Sequence, residues 1–366
     1  MRTTGQYRVF SREPDERALS IPRHLLQEGR ESEAEAAYRD LLENQPELRI
    51  AWAEYFHLLR EGGRFDEALH LAQRAEAELG PDALAITLRG AALVELGRYR
   101  EGLAALELAA ERNPNLGLVW HEAGYAAFRL GEYSRALLAL DRAFALEPHG
   151  TTLHLRGRIL RQAGRYLAAE VAFGSAAETA DYPEQRSEAD RQIGVTRRFA
   201  LFGGSRPDEM IPSRRWFAET GSLVLAPAAP GAPTATEAML LECFLELIHS
   251  EQWCFTSVVC VDQWEGSKRL AEMLGIPIET GMPDSTDERP LVTALRPAPG
   301  AWERACVQLA DSERGLSFVL QQPTVLPPAD IAATLNGFDG ARPDLLMAIE
   351  TARHPDSRVS RRILRA

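Results

Sequence analysis

Gly29, Gly63, Gly97, Gly131 and Gly164 recur at intervals of 34, 34, 34 and 33 residues. Each opens a stretch of helix-forming residues, from GRESEAEAAYRDLL at the first to GRYLAAEVAFGSAAE at the last. A fixed period of this length leaves a chain few choices. One helix pair of that size cannot bury its own apolar faces, whereas a stack of such pairs can, so the period predicts a helical solenoid.

Other residues keep the same register. An aromatic follows the glycine by two at Phe65, Tyr99, Tyr133 and Tyr166, and a small residue follows by five at Ala34, Ala68, Gly102, Ala136 and Ala169. Ala75, Ala109, Ala143 and Ala176 come seven later, Pro46, Pro114 and Pro148 close units, and Trp52 and Trp120 precede their glycines by eleven. Gly90, Gly124 and Gly157 hold a further small position. Small side chains let two helix backbones approach, glycine permits the tight turn between them, and proline marks where a helix stops. On these residues the segment resembles the tetratricopeptide repeat family, with about five repeats plus a capping helix from Pro183 over residues 15–200. The first repeat departs from the pattern: Glu31 stands at the aromatic position and Pro22 lies in its first helix, as befits a terminal cap.

The resemblance implies an N-terminal all-α superhelix whose first helices line a groove for a partner's peptide or helix. Carried over position by position, the groove residues are His57, Arg60, Thr87, Val94, His121, Tyr125, Phe128, Arg129, His154, Arg158 and Arg161. Guanidinium groups pair bidentately with carboxylates, and aromatic rings supply apolar contact at little entropic cost, so an acidic segment with one or two apolar anchors is the expected ligand. The alternatives are a solvated face, or a face docked on the chain's own second half. The residues that the family's chaperone-binding clamp requires are absent from the groove positions.

Composition excludes several other classes. The net charge of −12 argues against general nucleic-acid binding. Cys243, Cys254, Cys260 and Cys306 show no C-x-x-C spacing, and no H-E-x-x-H or Cys/His cluster occurs, so free thiols and no metal or cofactor are expected. There is no apolar run long enough to span a bilayer, and the first twenty residues lack the core of a signal peptide. These features predict a cytoplasmic protein. The bias toward Arg and Ala, with Lys268 the single lysine, points to a high-GC bacterial genome.

After residue 200 the texture changes. A Gly/Pro-rich stretch at 201–220 reads as a linker. Beyond it, apolar runs at 222–226, 255–261, 276–279, 291–295 and 316–320 alternate with amphipathic helices. Residues 221–366 therefore read as a small, doubly wound, mainly parallel α/β domain closed by C-terminal helices. A second candidate site lies where the second strand ends, at Asp262 followed by Gly266, Ser267 and Lys268 opening a helix, a place where a phosphate or carboxylate would bind. The competing reading makes Ser267 an ordinary helix cap and Lys268 a solvated side chain. The loop APAAPGAPTATEAM, with Gly231 and a cap at Thr236, is a weaker candidate, and the Arg-rich end RHPDSRVSRRILRA reads as a solvated helix end.

No nucleophile, base and oxyanion donor can be grouped anywhere, so no catalytic residue is assigned. The sequence favours a protein–protein interaction adaptor. The alternatives are a small-ligand-binding or enzymatic α/β domain with the repeats as its targeting module, and a homo-oligomeric assembly protein.

Overall fold

The computed structural model describes residues 17–225, 235–283, 288–312, 314–323, 325–335 and 345–361. It divides into two compact units, Met1–Ala163 with Val171–Ala189, and Gly164–Glu170 with Asp190–Ala366. The Pro/Ala loop at 226–234 and the arginines beyond 361 lie outside the described residues.

Helices come in consecutive pairs: α1 (Ser20–Gln27) with α2 (Glu31–Asn44), α3 (Arg49–Glu61) with α4 (Phe65–Leu79), α5 (Ala83–Glu95) with α6 (Tyr99–Arg112), α7 (Gly117–Arg129) with α8 (Tyr133–Leu146), and α9 (Gly150–Gln162) with α10 (Tyr166–Glu178). The long helix α11 (Pro183–Ala200) follows. The five periodic glycines sit at the turns within pairs with φ between +70° and +79°, the left-handed region where any other residue is strained. That backbone requirement is why the period survives as glycine.

Inside each pair, the small positions set how closely the helices approach. A Cβ on Gly90 would lie 2.7 Å from Leu106, and one on Gly102 would lie 2.6 Å from Val94 and 2.8 Å from the Gly90 carbonyl oxygen. Gly124 and Gly157 are covered in the same way by Leu140 and Phe173, each at 2.8 Å. The register tryptophans act at the joins between pairs. Trp52 Nε1 donates to the Pro46 carbonyl and Trp120 Nε1 to the Pro114 carbonyl, each at 2.8 Å. Each proline lies just past a helix's C-cap residue, and the next repeat's indole satisfies its carbonyl. Residues 20–178 are thus a helical repeat region of tetratricopeptide type, carrying that family's small, aromatic and turn positions where its packing needs them.

The second unit holds a six-stranded sheet in the order β1-β6-β5-β4-β2-β3, every pair parallel. The strands are β1 (Leu223–Val224), β2 (Ser257–Cys260), β3 (Ile278–Glu279), β4 (Pro290–Ala294), β5 (Leu316–Gln322) and β6 (Ile331–Leu335). Alternation along the strands feeds two cores. Val258, Leu291, Phe318 and Ile331 pack with Phe244 of α13 (Glu237–Glu251) and Leu270 of α14 (Glu265–Leu274). Val259, Val292, Val319 and Ala332 pack with Trp302 and Leu309 of α15 (Ala301–Ser312). Residues buried on both faces explain the near-continuous apolar runs of these strands.

Three features differ from the sequence expectation. Residues 212–220, read as linker, form helix α12 (Pro212–Thr220): its proline stands in the first turn, where no amide donor is needed, so it starts a helix instead of breaking one. Ile331–Leu335, in a segment counted with the closing elements, is a sixth strand reached from β5 without an intervening helix. The C-terminal arginines are not all solvated. Arg353 pairs with buried Glu251 at 2.9 Å, and Arg358 pairs at 3.3 Å with fully buried Asp330, which also accepts from the Ser317 amide and hydroxyl. With the Arg358 amide donating to the Gly221 carbonyl, these contacts fasten the segment after α16 (Leu345–Arg353) to the sheet unit.

Candidate functional site

The groove positions fall on the first helices α3, α5, α7 and α9, and their fates diverge. Thr87 and Val94 of α5 are buried, so they do not line a groove. The Thr87 hydroxyl donates to the Ala83 carbonyl at 2.6 Å, and Val94 fills the space beside Gly102. The close approach of α5 and α6 draws Val94 inward.

Arg60 is taken up by its own chain. Its Nε and Nη2 contact Glu95 of α5 at 2.8 and 2.7 Å, and its Nη1 donates to Glu122 of α7 at 2.8 Å. One guanidinium thereby ties three first helices together. The Glu122 side chain is 3% exposed. Burial alone would raise its carboxyl, but the charge of Arg60, with His121 beside it, holds it below the ordinary carboxylate value. His57 stands 3.2 Å from Glu61, and His121 Nδ1 lies 3.1 Å from the Thr152 hydroxyl of α9. Burial pushes His121 below its ordinary value, reinforced by Arg60 and His149 and opposed by Glu122.

The remaining groove residues form a second cluster in which guanidiniums meet aromatic rings. Arg129 lies 4.6 Å from the Tyr99 ring centre and 5.7 Å from that of Tyr125, and it donates to both tyrosine hydroxyls, at 2.9 Å to Tyr125. Arg158 lies 6.0 Å from Phe128, and Arg161 5.5 Å from Phe173. His154 meets Phe173 edge-on at 5.3 Å and approaches Glu188 at 3.8 Å. On α7, His121, Tyr125, Phe128 and Arg129 share one face at i, i+4, i+7 and i+8, and on α9 so do His154, Arg158 and Arg161. Among the described residues no carboxylate lies within salt-bridge distance of Arg129 or Arg158. The sequence missed Glu61, Glu95, Glu122 and Tyr99 as members of this face. Glu61 and Glu95 stand one residue after Arg60 and Val94, the spacing that separates Arg129 from Phe128, and this register alone would have found them.

These shifts predict a pH response. Both groups have folded values below their unfolded ones, so the stability they contribute is complete above the unfolded values and is lost as acid protonates the folded state. Unfolding by urea, followed through the helical signal, should show the repeat region weakening as pH falls below about 6.5 through His121, and further below about 4.5 through Glu122. In His121→Gln the loss that sets in as pH falls below about 6.5 should shrink. An unchanged profile in that variant would exclude the assignment.

The second candidate site is differently placed. Asp262 Oδ2 accepts the Leu295 and Arg296 amides at 2.7 and 3.1 Å, joining the ends of β2 and β4. Gly266 lies against the Trp264 indole, where a Cβ would come within 2.1 Å of the ring. Ser267 does not cap the helix: it is fully buried and its Oγ accepts from the Thr293 hydroxyl at 2.8 Å, while Trp264 occupies the cap position. Lys268 pairs with Glu265 at 2.9 Å on the exposed face. Each of the four thus has a local packing or hydrogen-bonding partner, while the second carboxylate oxygen of Asp262, Oδ1, is buried without one among the described residues. Among the described residues no three His, Cys, Asp or Glu side chains are grouped to hold a metal ion, and no helix is long and apolar enough to cross a membrane.

No family model matches the chain, and no curated protein matches it. Among solved structures, TTC0263, a thermophilic TPR protein of Thermus thermophilus, is similar at 20% identity over 49% of this chain and 98% of its own, with a TM-score of 0.44. PilW, described as a type IV pilus biogenesis factor, is similar at 17% identity over 50% of this chain and 93% of its own, with a TM-score of 0.39. YrrB, described as a TPR protein with an unusual peptide-binding site, is similar at 17% identity over 48% and 90%, with a TM-score of 0.32.

Proposed function

We propose that this chain is an interaction scaffold whose helical repeats hold a segment of a partner protein against α7 and α9. The observation that carries the reading is the row of guanidiniums seated on aromatic rings, Arg129 on Tyr99 and Tyr125, Arg158 on Phe128, and Arg161 on Phe173. Stacked guanidiniums are pre-ordered, and the part-exposed rings of Tyr99, Tyr125 and Phe128 offer apolar area, whereas Phe173 is buried and only seats Arg161; together they suit a segment with apolar anchors and carboxylates. The parallel sheet, with cores on both faces, we read as a doubly wound domain that supplies a second surface to the scaffold.

The test is capture of a partner from extract, followed by calorimetric titration of the purified partner against wild type and Tyr125→Ala/Arg129→Glu/Arg158→Glu. The variant should bind at least about a hundredfold more weakly, as expected when anchor residues are removed and charges reversed. Equal affinity, with circular dichroism showing both proteins folded, would remove α7 and α9 from the interface.

A further inference from the structure

The same face carries two opposite charges. On α3 and α5, Glu61 stands beside His57 and Glu95 holds the Arg60 guanidinium, whose remaining donor goes to buried Glu122 of α7. On α7 and α9, Arg129 and Arg158 stand on aromatic rings with no carboxylate within salt-bridge distance among the described residues. Arg60 would be expected to extend the basic row, but its donors are directed at Glu95 and Glu122; with Glu122 buried, the part-exposed carboxylates of Glu61 and Glu95 leave that end acidic. Packed helices are about 8–10 Å apart. That is close to the Debye length of about 8 Å at physiological ionic strength, so each end acts on the part of a ligand nearest to it rather than on its total charge.

We infer that the occupant is a charge-polarised segment, and this rests on the partner-binding reading above. Lysine or arginine faces Glu61 and Glu95, apolar or aromatic residues lie along Tyr125 and Phe128, and aspartate or glutamate faces Arg129 and Arg158. Three helix spacings from α3 to α9 amount to roughly 25–30 Å, or about eight or nine residues of extended chain. A uniformly acidic segment meets repulsion at α3 and α5, and a uniformly basic one meets it at α7 and α9. Polarity therefore fixes the direction in which the segment lies as well as its identity.

A displayed library of random twelve-residue peptides, selected on the full chain, tests this. The expected result is enrichment of peptides with basic residues in one half and acidic residues in the other. A resynthesised winner should lose at least about tenfold in affinity when its charged halves are exchanged, and it should weaken on both Glu61→Lys and Arg158→Glu. Enrichment of peptides acidic throughout, still lost on Arg129→Glu/Arg158→Glu, would overturn the polarity and leave the partner-binding reading standing. Peptides that bind Arg129→Glu/Arg158→Glu as well as wild type, or no enrichment at all, would overturn both.

Discussion

Replacing Gly102 with valine should destabilise the third repeat by about 3 kcal/mol, the upper part of the range for overpacking a core. The atoms it would strike leave little room to yield. One is a methyl of Val94, a β-branched side chain with few rotamers in a helix, and the other is the backbone carbonyl of Gly90, 2.8 Å away. Elsewhere in the array an alanine serves at the equivalent position, at Ala34, Ala68, Ala136 and Ala169. The third repeat has glycine on both helices, and neither can be enlarged without parting them. Amide hydrogen exchange would report the change as roughly hundredfold faster opening of α5 and α6. Gly174→Ala is the contrasting control. A Cβ there meets nothing within 4 Å, so the helix should gain about 0.5–1 kcal/mol. Unchanged exchange in Gly102→Val would show that the helix pair adjusts, and the close approach would lose its explanatory role.

Arg60→Ala should cost about 3–5 kcal/mol, because it strands a buried carboxylate instead of removing an exposed ion pair. Glu122 would keep its desolvation and lose the charge that offsets it, so its carboxyl should rise toward and above the ordinary range. Two consequences follow from the sign of that rise. The deficit relative to wild type should shrink as pH is lowered, since the variant folds with Glu122 neutral while wild type loses the contribution of its ion pair. Adding Glu122→Gln to Arg60→Ala should recover most of the stability at pH 7. A deficit that is constant with pH, or a double variant no better than the single, would mean that the guanidinium acts through its aliphatic stem alone.

The contrast between these two sites shows what a sequence of this kind discloses. Gly102 and its counterparts were legible because the turn and the helix contact repeat every 34 residues, and each repeat restates the same backbone demand. Arg60 was legible as a surface arginine at a groove position, but its destination was not. Glu122 lies 62 residues away at a buried position outside the repeating pattern, and nothing periodic pairs the two. Thr87 and Val94 mark the opposite limit, since their register matched the groove and yet both are buried, Val94 against Gly102 of α6. In the sheet unit, Ser267 and Gly266 looked like the opening of an anion-binding helix because residue type alone does not reveal what lies across the fold. Once the strands are assembled, Thr293 engages the serine and the Trp264 ring covers the glycine. The helix at Pro212 was missed because proline both starts and ends helices, and only its position within the turn separates the two.

The indole bonds of Trp52 and Trp120 make the joins between repeats unequal. Each spans a fixed six residues from a proline carbonyl to the ring that caps it, which works as a ruler laid across the connection. The first-to-second and third-to-fourth joins carry this ruler. The equivalent positions at the other two joins are Ile86 and Leu153, which have no donor to measure with. Insertions should therefore be accepted at Gly80–Pro81 and at Pro148–His149, and rejected between Pro46 and Trp52 and between Pro114 and Trp120. The array is punctuated as doublets, joined within each by an indole bond and between them without one.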